Sequence, residues 1–217
     1  MAYKKDAEAG QAVYSRNVLS IYDLWVLGIS NSFIWRCSTR KLGAFFRRHV
    51  SLNHLDVGVG TGYYLDKYLP ESQRRVGLLD LNANSLGYAS QRIARFNPER
   101  YRGNVLEPLD LTCEAFDSIS VNYLLHCLPG SIGEKSILFK HLKPYLNEAG
   151  VIFGSTILGD GVQRGMTAKK LMSVYNSKGI FDNNQDSLEG LREALESHFS
   201  QVEIVVVGCV AMFRASV

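Results

Sequence analysis

One stretch of this chain narrows its fold more than any other: His54-Leu55-Asp56-Val57 runs into Gly58-Val59-Gly60-Thr61-Gly62, and Tyr63-Tyr64 opens a helix-like segment. Three glycines at alternate positions after a short apolar run fit a strand ending in a tight turn. Glycine takes positive φ and lets a ligand approach the backbone closely. A second apolar run, Val76-Gly77-Leu78-Leu79, ends in Asp80, twenty-two residues after Gly58. A strand, a glycine turn, a helix and a second strand closing on a carboxylate form a nucleoside-binding layout. The carboxylate is placed to accept the two ribose hydroxyls.

Downstream, apolar runs alternate with helix-periodic segments. Strands are expected at 53–58, 75–80, 101–103, 116–122, 150–157, 201–207 and 209–215, and helices at 62–69, 84–95, 131–146, 162–177 and 187–198. That alternation predicts an α/β fold: a doubly wound, seven-stranded, mostly parallel sheet with helices on both faces. Only Gly208 separates the last two strands. A parallel crossover needs roughly a dozen residues or more, so these two must form an antiparallel hairpin. Upstream, residues 11–50 read as helical. Val13, Val18, Ile21, Leu24, Trp25 and Gly28 recur at three- and four-residue spacing, and Thr39–Val50 carries Leu42, Phe45 and Phe46 on one face. The chain therefore divides into an N-terminal helical segment, 1–50, and a cofactor-binding domain, 51–217.

Composition argues against several classes. A formal charge of +3 over 217 residues is too small to point to nucleic acid or an anionic membrane. Leu19–Ile34 is apolar but broken by Asp23, Gly28, Ser30 and Asn31, and is too short to span a bilayer. It reads as an amphipathic helix packed on the domain. Met1–Gly10 is polar without an apolar run, so no leader is expected. Cys37, Cys113, Cys127 and Cys209 are scattered with no CxxC pair. They suggest reduced thiols in a cytoplasmic protein, and neither a zinc site nor a redox pair.

Taken in order, the motifs resemble those of the class I S-adenosylmethionine-dependent methyltransferases. The glycine loop Leu55–Gly62, the acidic strand end Leu79-Asp80-Leu81-Asn82, the fourth strand Phe116–Asn122 and the fifth-strand region Leu142-Lys143-Pro144 through Gly150-Val151 carry the resemblance, which covers roughly residues 53–217. It implies the same seven-stranded sheet ending in a hairpin, S-adenosylmethionine as cofactor, no metal, and an N-terminal lid. A dinucleotide site fits less well. It calls for G-x-G-x-x-G, whereas Gly62 follows Gly60 by two residues, and the charge of Asp56 would oppose a pyrophosphate. Asp56 suits instead the ammonium and sulfonium end of S-adenosylmethionine.

The resemblance also implies roles. Gly58, Gly60, Thr61 and Gly62 pass under the ribose and methionine tail, and Asp80 accepts the ribose hydroxyls. Leu81 or Asn82 covers an adenine face. Asn104, beside Val105, stands near the adenine amino group or is a plain turn residue. Asn122 holds the amino-acid part. At the reacting end, His126 is a candidate general base, or else packs or caps the next helix; His49, His54, His141 and His198 read as surface or strand-edge residues. Tyr14, Tyr22 and Trp25 would line the lid, with Tyr22 a second catalytic candidate, while Trp35 fits core packing. Tyr123, Tyr175 and Asn176 are candidate substrate contacts.

No N-P-P-Y or D-P-P-Y follows the fourth strand, which argues against methylation of a nucleic-acid base. The expected activity is methyl transfer to a small, partly apolar molecule by a monomer or homodimer without nucleic-acid or membrane partners. Two alternatives stay open. One is an enzyme similar to the azetidine-2-carboxylate synthases, which consume S-adenosylmethionine alone and release methylthioadenosine. The other is a non-catalytic cofactor-binding module.

Overall fold

The computed structural model describes residues 30–72 and 74–217. Seven strands form one sheet: β1 (Asn53–Val57), β2 (Arg75–Asp80), β3 (Glu99–Arg102), β4 (Phe116–Asn122), β5 (Leu146–Ile157), β6 (Gln201–Val207) and β7 (Val210–Ser216). Their spatial order is β3-β2-β1-β4-β5-β7-β6. β1 to β5 pair in parallel, and β7 runs antiparallel to both β5 and β6. Gly208, at φ +60, closes the terminal hairpin. Strand order reverses between β1 and β4, and a crevice opens at such a reversal beyond the carboxyl ends of the strands.

The described helices are α1 (Thr39–His49), α2 (Tyr63–Tyr68), α3 (Ala83–Arg92), α4 (Ile132–Lys135), α5 (Ile137–Leu142), α6 (Met166–Ser177) and α7 (Leu188–Glu196). Local chemistry sets their ends. The Ser38 side chain accepts the Lys41 N–H, while Arg47, Arg48 and His49 favour the carboxyl end of α1. A reciprocal capping box between Ser131 and Glu134 starts α4. The helix expected over 131–146 is cut at Ser136 into α4 and α5 and then tightens into a 3-10 turn at Lys143–Tyr145, where Pro144 stands at the first turn. β5 begins at Leu146, four residues before its expected start, because Leu146 pairs with Phe116 across a register shift.

Side-chain alternation along the strands gives the sheet two cores. Leu55 and Val57 of β1 join Phe116, Ile119, Phe139, Leu195 and Phe213 on one face. On the other, Phe46 of α1, Leu65 of α2 and Leu86 and Ala89 of α3 cover Val76, Leu78 and Phe153. Residues 30–34 form a single π-helical turn. Beyond it, Trp35, Cys37 and Leu42 pack on the terminal hairpin beside Met172 and Phe181, and the Cys209 N–H donates to the Trp35 carbonyl at 2.8 Å. The described part of the N-terminal segment is thus built into the core. Tyr14, Tyr22 and Trp25 lie outside the described residues. No described helix is long and apolar enough to cross a membrane.

Candidate active site

A cavity lies at the carboxyl ends of β1, β2 and β4, at the point where strand order reverses. It gathers Asp56, Gly58, Gly60, Thr61, Gly62, Asp80, Leu81, Asn82, Asn104, Val105, Asn122 and Tyr123 from segments scattered over the sequence. The glycine loop between β1 and α2 is its floor. Gly58, Gly60 and Gly62 take φ of +70, +51 and +70. Among the described residues, nothing lies within 4 Å of a Cβ built on Gly60, so the backbone there faces open space. Gly62 serves packing instead, since its Cβ would meet that of Ala89 in α3 at 3.0 Å.

Two carboxylates face this space. Asp80, at the end of β2, accepts the Asn82 N–H at 2.8 Å. Burial raises its pKa to about 6, against the downward pull of the backbone N–H groups of Asn82, Gly60, Val59 and Leu81. Burial likewise lifts Asp56 to about 7; the Ser120 hydroxyl bonded to it pulls down, and the charge of Asp80 pushes up. A hydrogen-bond donor or a cation placed beside either would stabilise its charged form.

Three asparagines differ in their freedom. Asn82 caps α3, its Oδ1 accepting the Asn84 N–H at 2.8 Å. Asn104 forms an Asx-turn, its Oδ1 accepting the Leu106 N–H at 3.1 Å. Asn122 Oδ1 accepts the Ser155 hydroxyl at 3.2 Å, and its buried Nδ2 has no partner among the described residues. An orphaned amide donor at the end of a central strand is held ready for an acceptor oxygen. Tyr123 follows it at φ +55, a strained value for a bulky residue, with its N–H bonded to the Ser155 carbonyl at 2.7 Å.

His126 is a correction to the sequence expectation. It does not line the cavity. The 3-10 turn Leu125–Cys127 carries it into the core, 3% exposed, where its Nδ1 accepts the Ile157 N–H at 3.3 Å. Its ring packs on Phe181 with centroids 4.5 Å apart. Burial, aided by the charge of Lys135, pushes its pKa down to about 3. His126 is thus packed beside Phe181 rather than set in the cavity wall. Tyr175 and Asn176 are not among the residues of this cavity, while Asn176 lines an adjoining one that shares Cys127 and Pro129 with it. Tyr175 packs against Phe181, while Asn176 bonds Asn183 through both its Nδ2, at 3.0 Å, and its Oδ1, at 3.1 Å. They hold the loop after α6. That loop delivers Ile180 to the cavity, a wall residue that sequence reading missed because no local pattern marks it. Leu124, Leu128 and Pro129 were missed as well; the turn after β4 drew notice for its histidine, yet its apolar residues are the ones that face the ligand space.

His54 is a second correction. It is no strand-edge residue but is wholly buried between Phe46 and Phe153.

A methyltransferase-domain profile matches residues 55–152. The chain is similar to demethylluteothin O-methyltransferase of Streptomyces thioluteus, 40% identical over 95% of this chain and 90% of that one. It is also similar to the physcion biosynthesis cluster O-methyltransferase of Aspergillus chevalieri, 41% identical over 96% of this chain and 95% of that one. Among solved structures, the N-methyltransferase NodS of Bradyrhizobium japonicum in complex with S-adenosylhomocysteine superposes with a TM-score of 0.63 at 16% identity, covering 98% of this chain and 96% of that one.

Proposed function

The chain belongs to the class I S-adenosylmethionine-dependent methyltransferases, and from that premise we propose that it moves the methyl group to an acidic hydroxyl of a small, partly apolar molecule. S-adenosylmethionine is its cofactor. The residues present fit that group. Asp80 suits the ribose diol, Asp56 the cationic tail, the orphaned Asn122 Nδ2 the tail carboxylate, and the open face of Gly60 the close passage of the chain between them. When bound, the cofactor supplies a methyl group already activated on a sulfonium.

The protein's part is then to align and to exclude water. The observation that carries the acceptor's chemistry is the make-up of the cavity beyond Asn122. Leu124, Leu128, Pro129 and Ile180 form an apolar wall there, with Cys127 among them. Burial pushes the Cys127 thiol up to about 12, so it is neutral and leaves the wall uncharged. Such a surface favours a ring or chain with few polar atoms. Beside its two carboxylates, the cavity's described titratable lining is the Cys127 thiol and the phenols of Tyr63, Tyr64 and Tyr123. A phenol or enol acceptor, more acidic than an aliphatic alcohol, asks least of them. The O-methyltransferase relatives support a hydroxyl as the receiving group. The free cysteines accord with a cytoplasmic enzyme.

The test is a panel of phenols, enols, aliphatic alcohols and amines, each incubated with the protein and S-adenosylmethionine. S-adenosylhomocysteine is expected to form in step with O-methylated product for the apolar phenols and enols. Turnover confined to the amines or the aliphatic alcohols would overturn the acceptor assignment.

A further inference from the structure

His54 and Asp56 project from the same face of β1, and the register of β1 on β4 sets His54 beside Ser118 and Asp56 beside Ser120. Four polar side chains therefore lie together on a face otherwise covered by Phe46 and Phe153. They form one hydrogen-bonded line. Asp56 Oδ1 bonds to Ser120 Oγ; Ser120 Oγ lies 3.0 Å from His54 Nε2; His54 Nδ1 lies 2.7 Å from Ser118 Oγ; and Ser118 Oγ lies 2.8 Å from Ser51 Oγ. Ser51 Oγ in turn donates to the Asn53 carbonyl at 2.7 Å. His54, Ser118 and Ser120 are sealed from solvent, and only the Asp56 end reaches the cavity.

We propose that His54 is a positioning residue of the cofactor site, holding Asp56 through Ser120 and moving its single ring proton from Nε2 to Nδ1 when Asp56 takes up a proton. The inference rests on the placing of the cofactor's ammonium at Asp56.

A neutral imidazole has one donor and one acceptor, so it gives the line a direction. With Asp56 ionised, that carboxylate only accepts. Ser120 must donate to it, His54 Nε2–H donates to Ser120, and Nδ1 accepts from Ser118. With Asp56 protonated, the bonds from Asp56 through His54 to Ser118 reverse, while Ser51 still donates to the Asn53 carbonyl. Asp56 donates to Ser120, Ser120 to Nε2, Nδ1–H to Ser118, Ser118 to Ser51, and Ser51 to the Asn53 carbonyl. One proton is gained at Asp56, and the imidazole keeps its own on the other nitrogen. Both directions satisfy Asp56, Ser120 and both ring nitrogens, as a buried polar network requires, and the Ser51 N–H, 2.9 Å from Ser118 Oγ, donates to that hydroxyl in either.

The surroundings leave the choice to the cavity. Among the described residues, β2 presents Asp80, β4 presents Ser120, and α1 and β5 present Phe46 and Phe153. Burial keeps His54 neutral, its pKa pushed down to about 3, so it turns rather than charges. A cation at Asp56 holds the ionised direction, with Nε2–H aimed at Ser120.

Two measurements test this. The first is nuclear magnetic resonance of protein carrying ring-nitrogen-labelled histidine. The His54 signal, identified by its loss in His54→Phe or by its absence of response in Asp56→Asn, is expected to pass from Nδ1–H at acid pH to Nε2–H at alkaline pH. Added S-adenosylhomocysteine is expected to hold it at Nε2–H throughout. One tautomer under all conditions overturns the proposal. The second is calorimetry. His54→Phe is expected to bind S-adenosylhomocysteine about tenfold more weakly at neutral pH, with the pH midpoint of binding moved upward, while adenosine, which lacks the ammonium, binds as before. An unchanged midpoint and affinity overturn it. If instead Asp56→Asn leaves S-adenosylhomocysteine binding intact, the placing of the ammonium itself fails.

Discussion

At the level of single side chains, the site is a contrast between two carboxylates and an apolar wall. On the proposed role of Asp80 as acceptor of the ribose diol, Asp80→Ala is expected to weaken S-adenosylhomocysteine binding by about 3 kcal/mol, roughly a hundredfold. Calorimetry checks this, and unchanged affinity would contradict the role. The raised pKa values of Asp56 and Asp80, about 7 and about 6, carry a signed consequence. The folded free protein holds these protons more tightly than the unfolded chain. Its stability therefore falls as pH rises from the unfolded carboxylate range near 4 through the two folded values. A ligand that favours the ionised forms offsets that loss. The thermal shift produced by S-adenosylhomocysteine is accordingly expected to be larger above about pH 7 than below about pH 5. Equal shifts at both ends would contradict it. The carboxylates were legible in the sequence because Asp80 closes an apolar strand and Asp56 stands two residues before the glycine loop. The burial of His54 and His126 was not, because a histidine's surroundings come from β4, β5 and the loop after α6, all distant in the chain.

At the level of elements, the glycine loop joins the cavity to the packing of α2 on α3. Gly62 combines φ +70 with a Cβ position 3.0 Å from Ala89. Gly62→Ala is expected to cost about 1–3 kcal/mol in thermal or urea unfolding, since strain and overpacking act together. Asn82→Ala loses the α3 cap and is expected to cost about 1 kcal/mol. A variant as stable as the parent would contradict either account. Strand positions followed from apolar runs bounded by Gly, Asp and Asn, and six of the seven begin within two residues of expectation. Helix continuity was less legible. The 131–146 stretch has helical periodicity throughout, yet it breaks at Ser136, whose hydroxyl donates to the Gly133 carbonyl at 2.6 Å, and the 162–177 stretch enters its helix only at Met166, after Gly161 and Gly165.

For the whole molecule, strand order follows from chain connectivity, and the terminal hairpin could be read from the single residue between its strands. The closure of the cavity by the loop after α6 could not. That loop is tied down by long-range contacts: the Asp182 N–H donates to the His126 carbonyl at 2.9 Å, and Lys135 bonds both the Asp182 carbonyl and, at 2.8 Å, the Asp186 carboxylate. The Lys135–Asp186 pair is all but fully buried. Lys135→Met leaves the carboxylate uncompensated and is expected to cost about 3–5 kcal/mol in urea unfolding, a penalty that neutral replacement of both partners would largely relieve. A cost below about 1 kcal/mol would contradict the pair's place in holding this wall.

Methyl transfer through this cavity is most directly followed by the fate of the methyl group itself. The protein is incubated with S-adenosylmethionine labelled in that methyl, with and without an apolar phenol or enol, and the products are resolved by mass spectrometry. The label is expected on the acceptor oxygen, matched by unlabelled S-adenosylhomocysteine, and in no new product when the acceptor is left out. Label appearing in methylthioadenosine from the cofactor alone, at a rate above the protein-free control and with none on the acceptor, would contradict transfer and mark the chain as one that consumes S-adenosylmethionine by breaking its tail.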